Sequence, residues 1–286
     1  MNWFEALIAG VIQGLTEFLP VSSSGHLVIY GTLTSETESG NLAFTVFLHL
    51  ATLLAVIIVF RKDVWMLIRE LGLAIGDIFR GRRGAPSPKR RFLLMVIIGT
   101  IPAVIIGGGI KVFDIDAMLE NIFVVAVMLV VTAVLMFSVD RIREGGRRNA
   151  APFTAADAPL KTAWLVGILQ GIAILPGLSR SGSTIFGGVL GGLKKEFAVK
   201  YAFILSIPVI LGSAVIELRS ALKAEDSGEI GTLGLALGFI AAFFCGLLAI
   251  KLIKVLIKSN KFYIFGIYCL CASAFAFLVG FGVIHG

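Results

Sequence analysis

Six long apolar runs dominate this sequence, and each is close to the ~20 residues that a helix needs to cross a bilayer. The runs are continuous rather than alternating, which favours membrane-spanning helices over a barrel. Of the 286 residues, 57% are hydrophobic and only 15% are charged, so we expect an all-α polytopic protein with one membrane domain over residues 1–286. The predicted spans are residues 44–60, 92–112, 119–138, 197–217, 232–256 and 262–283.

The charged residues lie between these spans and predict their orientation. Basic residues concentrate in the connections 61–91, 139–162 and 251–261, whereas the connections 27–43, 113–121 and 218–230 are acidic on balance. The positive-inside rule therefore predicts that the first three face the cytoplasm of a bacterial cytoplasmic membrane. The net charge of +7 is explained by this topology and by contact with anionic lipid, so we expect no nucleic-acid partner.

The two halves of the chain share an internal repeat, of about residues 1–140 and 160–286. The stretch AGVIQG at 9–14 recurs as VGILQG at 166–171, and FLPVSSSG at 18–25 recurs as LPGLSRSG at 175–182. Because the predicted orientations of the two halves are opposite, the repeats are inverted. Two shorter apolar runs, 3–19 and 163–175, then each begin a re-entrant helical hairpin with a polar break.

The two polar breaks are predicted to meet near the midplane and to bind an anion. Arg180 offers a planar fork of donors suited to phosphate oxygens. Glu17 is an intramembrane carboxylate that can hold a divalent cation or take a proton, or else form a structural ion pair with Arg180. His26 is a candidate nucleophile or general acid/base. Further polar residues of the two breaks are expected to bind phosphate or to cap helices: Gln13, Ser22, Ser23, Ser24, Ser179, Ser181 and Thr184.

The stretches QGLTEFLPVSSSGH at 13–26 and PGLSRSGST at 176–184 resemble the motifs of the undecaprenyl pyrophosphate phosphatases, the bacitracin-resistance membrane enzymes. The likeness covers essentially the full chain in motif order and spacing, and Gln13 stands where the motif also allows Glu. The resemblance implies hydrolysis of undecaprenyl pyrophosphate to the monophosphate, at a site open to the outer side. It also implies a divalent cation, Mg²⁺ or Ca²⁺.

Carried over to these motifs, the resemblance implies that Glu17 is a metal ligand or an acid/base group and that Arg180 clamps the pyrophosphate. It makes both Ser23 and His26 catalytic, without deciding which attacks phosphorus. The residues themselves favour His26 as the nucleophile, because a serine needs an adjacent base whereas imidazole is nucleophilic near neutral pH. The alternative is that His26 activates Ser23 or a metal-bound water. A lipid flippase with the same midplane site is the alternative function, and small residues in the spans permit a homodimer.

Overall fold

A computed structural model describes residues 1–34, 42–81, 87–113, 121–142, 154–221 and 231–284, and every regular element within these ranges is a helix. The predicted connections fall partly on residues 35–41, 82–86, 114–120, 143–153 and 222–230, which lie outside the described residues. The helices are α1 Trp3–Phe18, α2 Ser23–Thr34, α3 Leu42–Val59, α4 Arg61–Phe79, α5 Pro88–Val112, α6 Ile122–Arg141, α7 Leu160–Ile172, α8 Arg180–Leu190, α9 Lys195–Ala221, α10 Thr232–Lys258 and α11 Tyr263–Gly280.

The predicted spans are confirmed as helices. Five of them, α5, α6, α9, α10 and α11, are long and apolar enough to cross a membrane. The sixth apolar helix, α3, is followed by α4 at a bend of 86°, so α4 does not continue along the axis of α3. The two shorter apolar runs form α1 and α7, and each is followed across a polar break by a second short helix.

Helix α4 was missed by the sequence analysis, which treated residues 61–91 as a connection. Its acidic side chains pair with neighbouring helices: Asp63 lies 2.6 Å from the Nζ atom of Lys200, while Asp77 lies 3.0 Å from Arg90. Large apolar side chains elsewhere on the helix are exposed, Trp65 by 69% and Phe79 by 86%. The face held to the bundle thus carries the paired carboxylates together with the buried Leu67, and a stripe of large apolar side chains is left outside it.

Glycines allow close crossings of the two short apolar helices with their neighbours. Helix α1 packs mainly against α10, and α7 mainly against α5. A Cβ atom at Gly10 would lie 2.3 Å from the carbonyl oxygen of Gly238, and one at Gly167 would lie 2.1 Å from that of Gly99. Only a residue without a side chain permits backbones to approach this closely.

The polar breaks lie against the largest apolar cluster of the protein. Phe18, the last residue of α1, is 2% exposed and packs edge-on against Phe203 of α9 at 5.4 Å between ring centroids. Helix α8 contacts α6, α7 and α9. This packing places the chain between α1 and α2 beside the start of α8.

Candidate active site

Each break ends in a serine that caps the following helix. The Ser22 hydroxyl accepts from the backbone N–H of Gly25 at 3.2 Å, and the Ser179 hydroxyl accepts from that of Gly182 at 3.1 Å. These bonds satisfy donors at helix starts that have no partner within the helix. Ser22 and Ser179 are both buried, so both hydroxyls serve as caps in this structure.

Glu17 is the centre of the site. Its Oε2 atom accepts from the Nε2 atom of Gln13 at 3.0 Å and from the Ser23 hydroxyl at 2.7 Å. Its Oε1 atom accepts from the Arg180 guanidinium at 2.8 Å. The Glu17 side chain is 5% exposed and that of Arg180 is 24% exposed, so the carboxylate is buried while the guanidinium reaches partly outside. Ser23 and Arg180 are the first residues of α2 and α8, and both helix starts thus meet at one carboxylate.

Two further hydrogen bonds join the breaks, which are in contact as the sequence predicts. The Ser181 hydroxyl donates to the carbonyl of Leu19 at 3.1 Å. The backbone N–H of Gly177 donates to the Ser24 hydroxyl at 3.4 Å. Gly177 has φ of +86°, and a Cβ atom there would lie 2.5 Å from the carbonyl oxygen of Val125. Glycine is therefore required at this turn both by its conformation and by its neighbour.

His26 points to a different partner. Its Nδ1 atom lies 2.7 Å from the carbonyl oxygen of Ser22, and its Nε2 atom lies 2.8 Å from the hydroxyl of Tyr268. Both ring nitrogens are thus engaged away from Ser23 and Glu17, although all three residues flank the same break. Tyr268 belongs to α11 and was missed by the sequence analysis, because nothing in its apolar surroundings distinguishes it from a lipid-facing tyrosine.

A small pocket lies beside the Glu17–Arg180 pair. Thr184 lines it, and its hydroxyl donates to the backbone carbonyl of Arg180 at 2.8 Å, which fixes the first turn of α8. Helix α9 supplies a wall of the pocket that the motifs did not reveal. The lining residues are Glu17, Phe18, Arg180, Ser181, Thr184, Ala202, Phe203 and Ser206.

The oxygen atoms around Glu17 suit a hard cation. Among the described residues no group of three or more His, Cys, Asp or Glu side chains converges, so a site made wholly of such ligands is not found there. The Oε1 atom of Gln13 is buried and has no hydrogen-bond partner among the described residues. This atom and the Glu17 carboxylate are the donor types that Mg²⁺ and Ca²⁺ accept, with substrate phosphates completing the set for Mg²⁺.

A sequence model described as the bacitracin resistance protein BacA matches residues 6–275 of this chain. The chain belongs to the BacA family. The matched region contains both polar breaks and all of the site residues described above. The resemblance seen in the two motifs is therefore confirmed for the chain as a whole.

Curated relatives match this BacA-family protein over nearly its full length, and the three described here are all named undecaprenyl-diphosphatase. A protein of Methanobrevibacter smithii is 40% identical over 97% of this chain and 98% of its own. A protein of Methanosphaera stadtmanae is 39% identical over 94% of this chain and 95% of its own. One of Bacteroides fragilis is 39% identical over the same shares.

Proposed function

We propose that this BacA-family protein hydrolyses undecaprenyl pyrophosphate to undecaprenyl phosphate and inorganic phosphate, and that it thereby confers resistance to bacitracin. The observation that carries the proposal is the convergence of Arg180, Ser23 and Glu17 at the starts of two helices. A guanidinium, a hydroxyl and the positive ends of helix dipoles are the groups that bind phosphate oxygens. The three relatives described above are named for this hydrolysis and not for transport, so the flippase alternative has no support.

Arg180 is proposed to clamp the pyrophosphate. In the structure it pairs with Glu17, so the substrate takes over this guanidinium from an internal carboxylate. Because Arg180 is partly exposed while Glu17 is buried, the incoming phosphate reaches the cation before the anion. Backbone and side-chain donors at the start of α8 then surround the same phosphate.

Ser23 is proposed as the nucleophile, with Glu17 as its base. The preference for His26 in the sequence analysis assumed that no base stands beside the serine, yet the Ser23 hydroxyl donates to Glu17 at 2.7 Å. Glu17 takes the hydroxyl proton as the Ser23 oxygen bonds to the terminal phosphorus and the bridging P–O bond breaks. Undecaprenyl phosphate leaves, and water then hydrolyses the phosphoserine to inorganic phosphate. His26 is proposed for proton transfer in the second step, and because its Nε2 atom faces Tyr268 rather than Ser23, this transfer is proposed to run through a water molecule.

We also propose that a divalent cation, Mg²⁺ or Ca²⁺, takes part. The Glu17 carboxylate and the unpartnered Oε1 atom of Gln13 would hold it together with phosphate oxygens. When bound, it neutralises negative charge on the pyrophosphate.

The membrane arrangement proposed here has six spans and two re-entrant hairpins in an inverted repeat, with the site open to the outer side of the cytoplasmic membrane. Two features support the repeat. Gly10 and Gly14 of α1 are separated from Gly167 and Gly171 of α7 by the same number of residues. The first two lie at the close crossing of α1 with α10, and the other two lie at the close crossing of α7 with α5. The contact of α1 with α10 corresponds to that of α7 with α5. Helix α4 then lies along the cytoplasmic surface.

The function is tested by phosphate release from undecaprenyl pyrophosphate in detergent, where membrane sidedness has no effect. We expect release by the wild type, its loss on addition of a chelator and in Arg180→Ala, and an unchanged rate in Arg69→Ala, an exposed arginine of α4. Quenched reactions with labelled substrate are expected to contain acid-stable phosphoserine, which Ser23→Ala lacks. Substrate binding without any release by the wild type would refute the hydrolase, and an acid-labile phosphohistidine would instead assign the attack to His26.

A further inference from the structure

Both nitrogens of the His26 ring are held by hydrogen bonds. A backbone carbonyl accepts but never donates, so the Nδ1 atom, 2.7 Å from the oxygen of Ser22, carries a proton. In the neutral imidazole the lone pair then lies on Nε2. The hydroxyl of Tyr268, 2.8 Å from Nε2, therefore donates to the nitrogen that would exchange protons during a reaction.

Tyr268 also contacts the ring through its own ring. The two rings are 5.5 Å apart between centroids and only 10° from parallel. The hydrogen bond that Nδ1 donates to Ser22 would by itself leave the imidazole free to tilt about that bond, whereas the second hydrogen bond and the stacked ring together define its plane. The direction of Nε2 is thus determined jointly by α2 and by α11.

The part of α11 that carries Tyr268 is firmly attached to the site. The neighbouring Cys269 is buried, and its thiol lies 3.8 Å from the carbonyl oxygen of Pro20 in the first break. One turn further on, the Ser273 hydroxyl donates to the carbonyl of Ala126 in α6 at 2.7 Å. Tyr268 itself is 47% exposed on the outer face of α11, so His26 lies at the flank of the site between α2 and α11.

We propose that Tyr268 is a positioning residue for the phosphatase reaction. Its hydroxyl holds His26 in the Nδ1-protonated form and fixes the direction of Nε2 at the flank between α2 and α11, and Nε2 takes a proton when Tyr268 releases it. The inference rests on the proposed role of His26 in proton transfer. The orientation of the His26 ring is thus assigned to a tyrosine of α11 rather than to a residue of either polar break.

Tyr268→Phe tests the proposal because it keeps the ring and removes only the hydroxyl. We expect kcat to fall about tenfold, the value of one oriented hydrogen bond, with KM within about twofold of the wild type. Tyr263→Phe is the matched control, since Tyr263 lies on the same helix, is similarly exposed at 44%, and lies outside the His26 contact. We expect it to leave both constants unchanged.

A double-mutant cycle separates positioning from a general structural effect. If Tyr268 acts through His26, Tyr268→Phe has no further effect on kcat in a His26→Ala background. The same tenfold loss in both backgrounds, or an unchanged kcat in Tyr268→Phe alone, would overturn the proposal while leaving the hydrolase intact. A wild-type rate in His26→Ala would instead overturn the role of His26 itself, and the proposal with it.

Nitrogen NMR gives a readout that does not depend on activity. The chain has three histidines, so spectra of ¹⁵N-histidine-labelled protein, with and without His26→Ala, identify the His26 signals. We expect a protonated Nδ1 and an unprotonated Nε2 in the wild type, and a downfield shift of Nε2 in Tyr268→Phe but not in Tyr263→Phe. A protonated Nε2 with an unprotonated Nδ1 in the neutral ring would contradict the hydrogen-bond pattern and the proposal.

Discussion

The replacement Glu17→Gln separates the charge of the central carboxylate from its shape. The carboxylate accepts three hydrogen bonds, from Gln13, Ser23 and Arg180. Glutamine keeps one oxygen, which still accepts from Arg180, and places an N–H₂ group opposite Ser23 and Gln13. The Ser23 hydroxyl can turn to accept, and so can the Oε1 atom of Gln13, which has no partner among the described residues.

The expected loss of stability is therefore small. The hydrogen bond to Arg180 changes from one between charged groups, about 1.5–3 kcal/mol, to one with a neutral acceptor, so the net loss is about 1 kcal/mol. Glu17→Ala instead removes every acceptor for Arg180 and leaves a partly buried guanidinium unpaired, which costs about 3–5 kcal/mol. Both variants thus lack the same carboxylate base, but Glu17→Ala is expected to be much less stable than Glu17→Gln.

Activity is expected to fall by about 10²–10⁴ in both variants, because each lacks the base that takes the Ser23 proton. Thermal unfolding and phosphate release are measured on the same detergent preparation, with Glu196→Gln, an exposed carboxylate of α9, as the control. Glu17→Gln should show a melting temperature within a few degrees of the wild type. A Glu17→Gln protein that retains more than a tenth of the wild-type kcat would refute the assignment of Glu17 as base.

Three further predictions concern structure rather than chemistry. Gly167→Ala places a Cβ atom 2.1 Å from a carbonyl oxygen of α5 and should lower the free energy of unfolding by about 1–3 kcal/mol, whereas Gly108→Ala, with nothing within 4 Å, should not. Ser22→Ala should cost about 1–2 kcal/mol because it loses the cap and keeps φ at +72°, while Ser22→Gly should change stability by less than about 0.5 kcal/mol; a Ser22→Ala protein as stable as the wild type would show that the cap is unimportant. In a variant that keeps Trp65 as its only tryptophan and is reconstituted into vesicles, the fluorescence of Trp65 should be quenched most by lipids brominated near the headgroups. Quenching only by a water-soluble quencher would place α4 outside the bilayer.

The sequence predicts the parts of this protein that depend on local pattern. Apolar length identifies α5, α6, α9, α10 and α11, because a span is a property of consecutive residues. The pair of Glu17 and Arg180 was also predictable, since two polar segments in an apolar protein have few partners except each other. The internal repeat adds that the two polar segments occupy equivalent positions in the two halves of the chain, which is why they were expected to meet.

The parts that the sequence did not predict depend on packing between distant residues. Tyr268 reaches His26 across 242 positions, and its local surroundings are those of any membrane-facing tyrosine. Ser206 and Phe203 line the pocket only because α9 packs on α8. Helix α4 was missed for a different reason: its many charged side chains suggested a solvent-exposed connection, although the same stretch carries large apolar side chains at helical spacing, among them Trp65 and Phe79.

The ion pair of Arg180 with Glu17 bears on how a phosphatase avoids the lipids that surround it. A membrane is crowded with phosphodiester headgroups, each with a single negative charge, and an unoccupied arginine would bind them readily. Here any arriving anion must outcompete a carboxylate that is already in place at 2.8 Å. A pyrophosphate, with more charge and more oxygen atoms, is far better able to do so than a phosphodiester. Glu17 therefore competes with every incoming anion for Arg180, and we expect this competition to disfavour a singly charged phosphodiester more than a pyrophosphate.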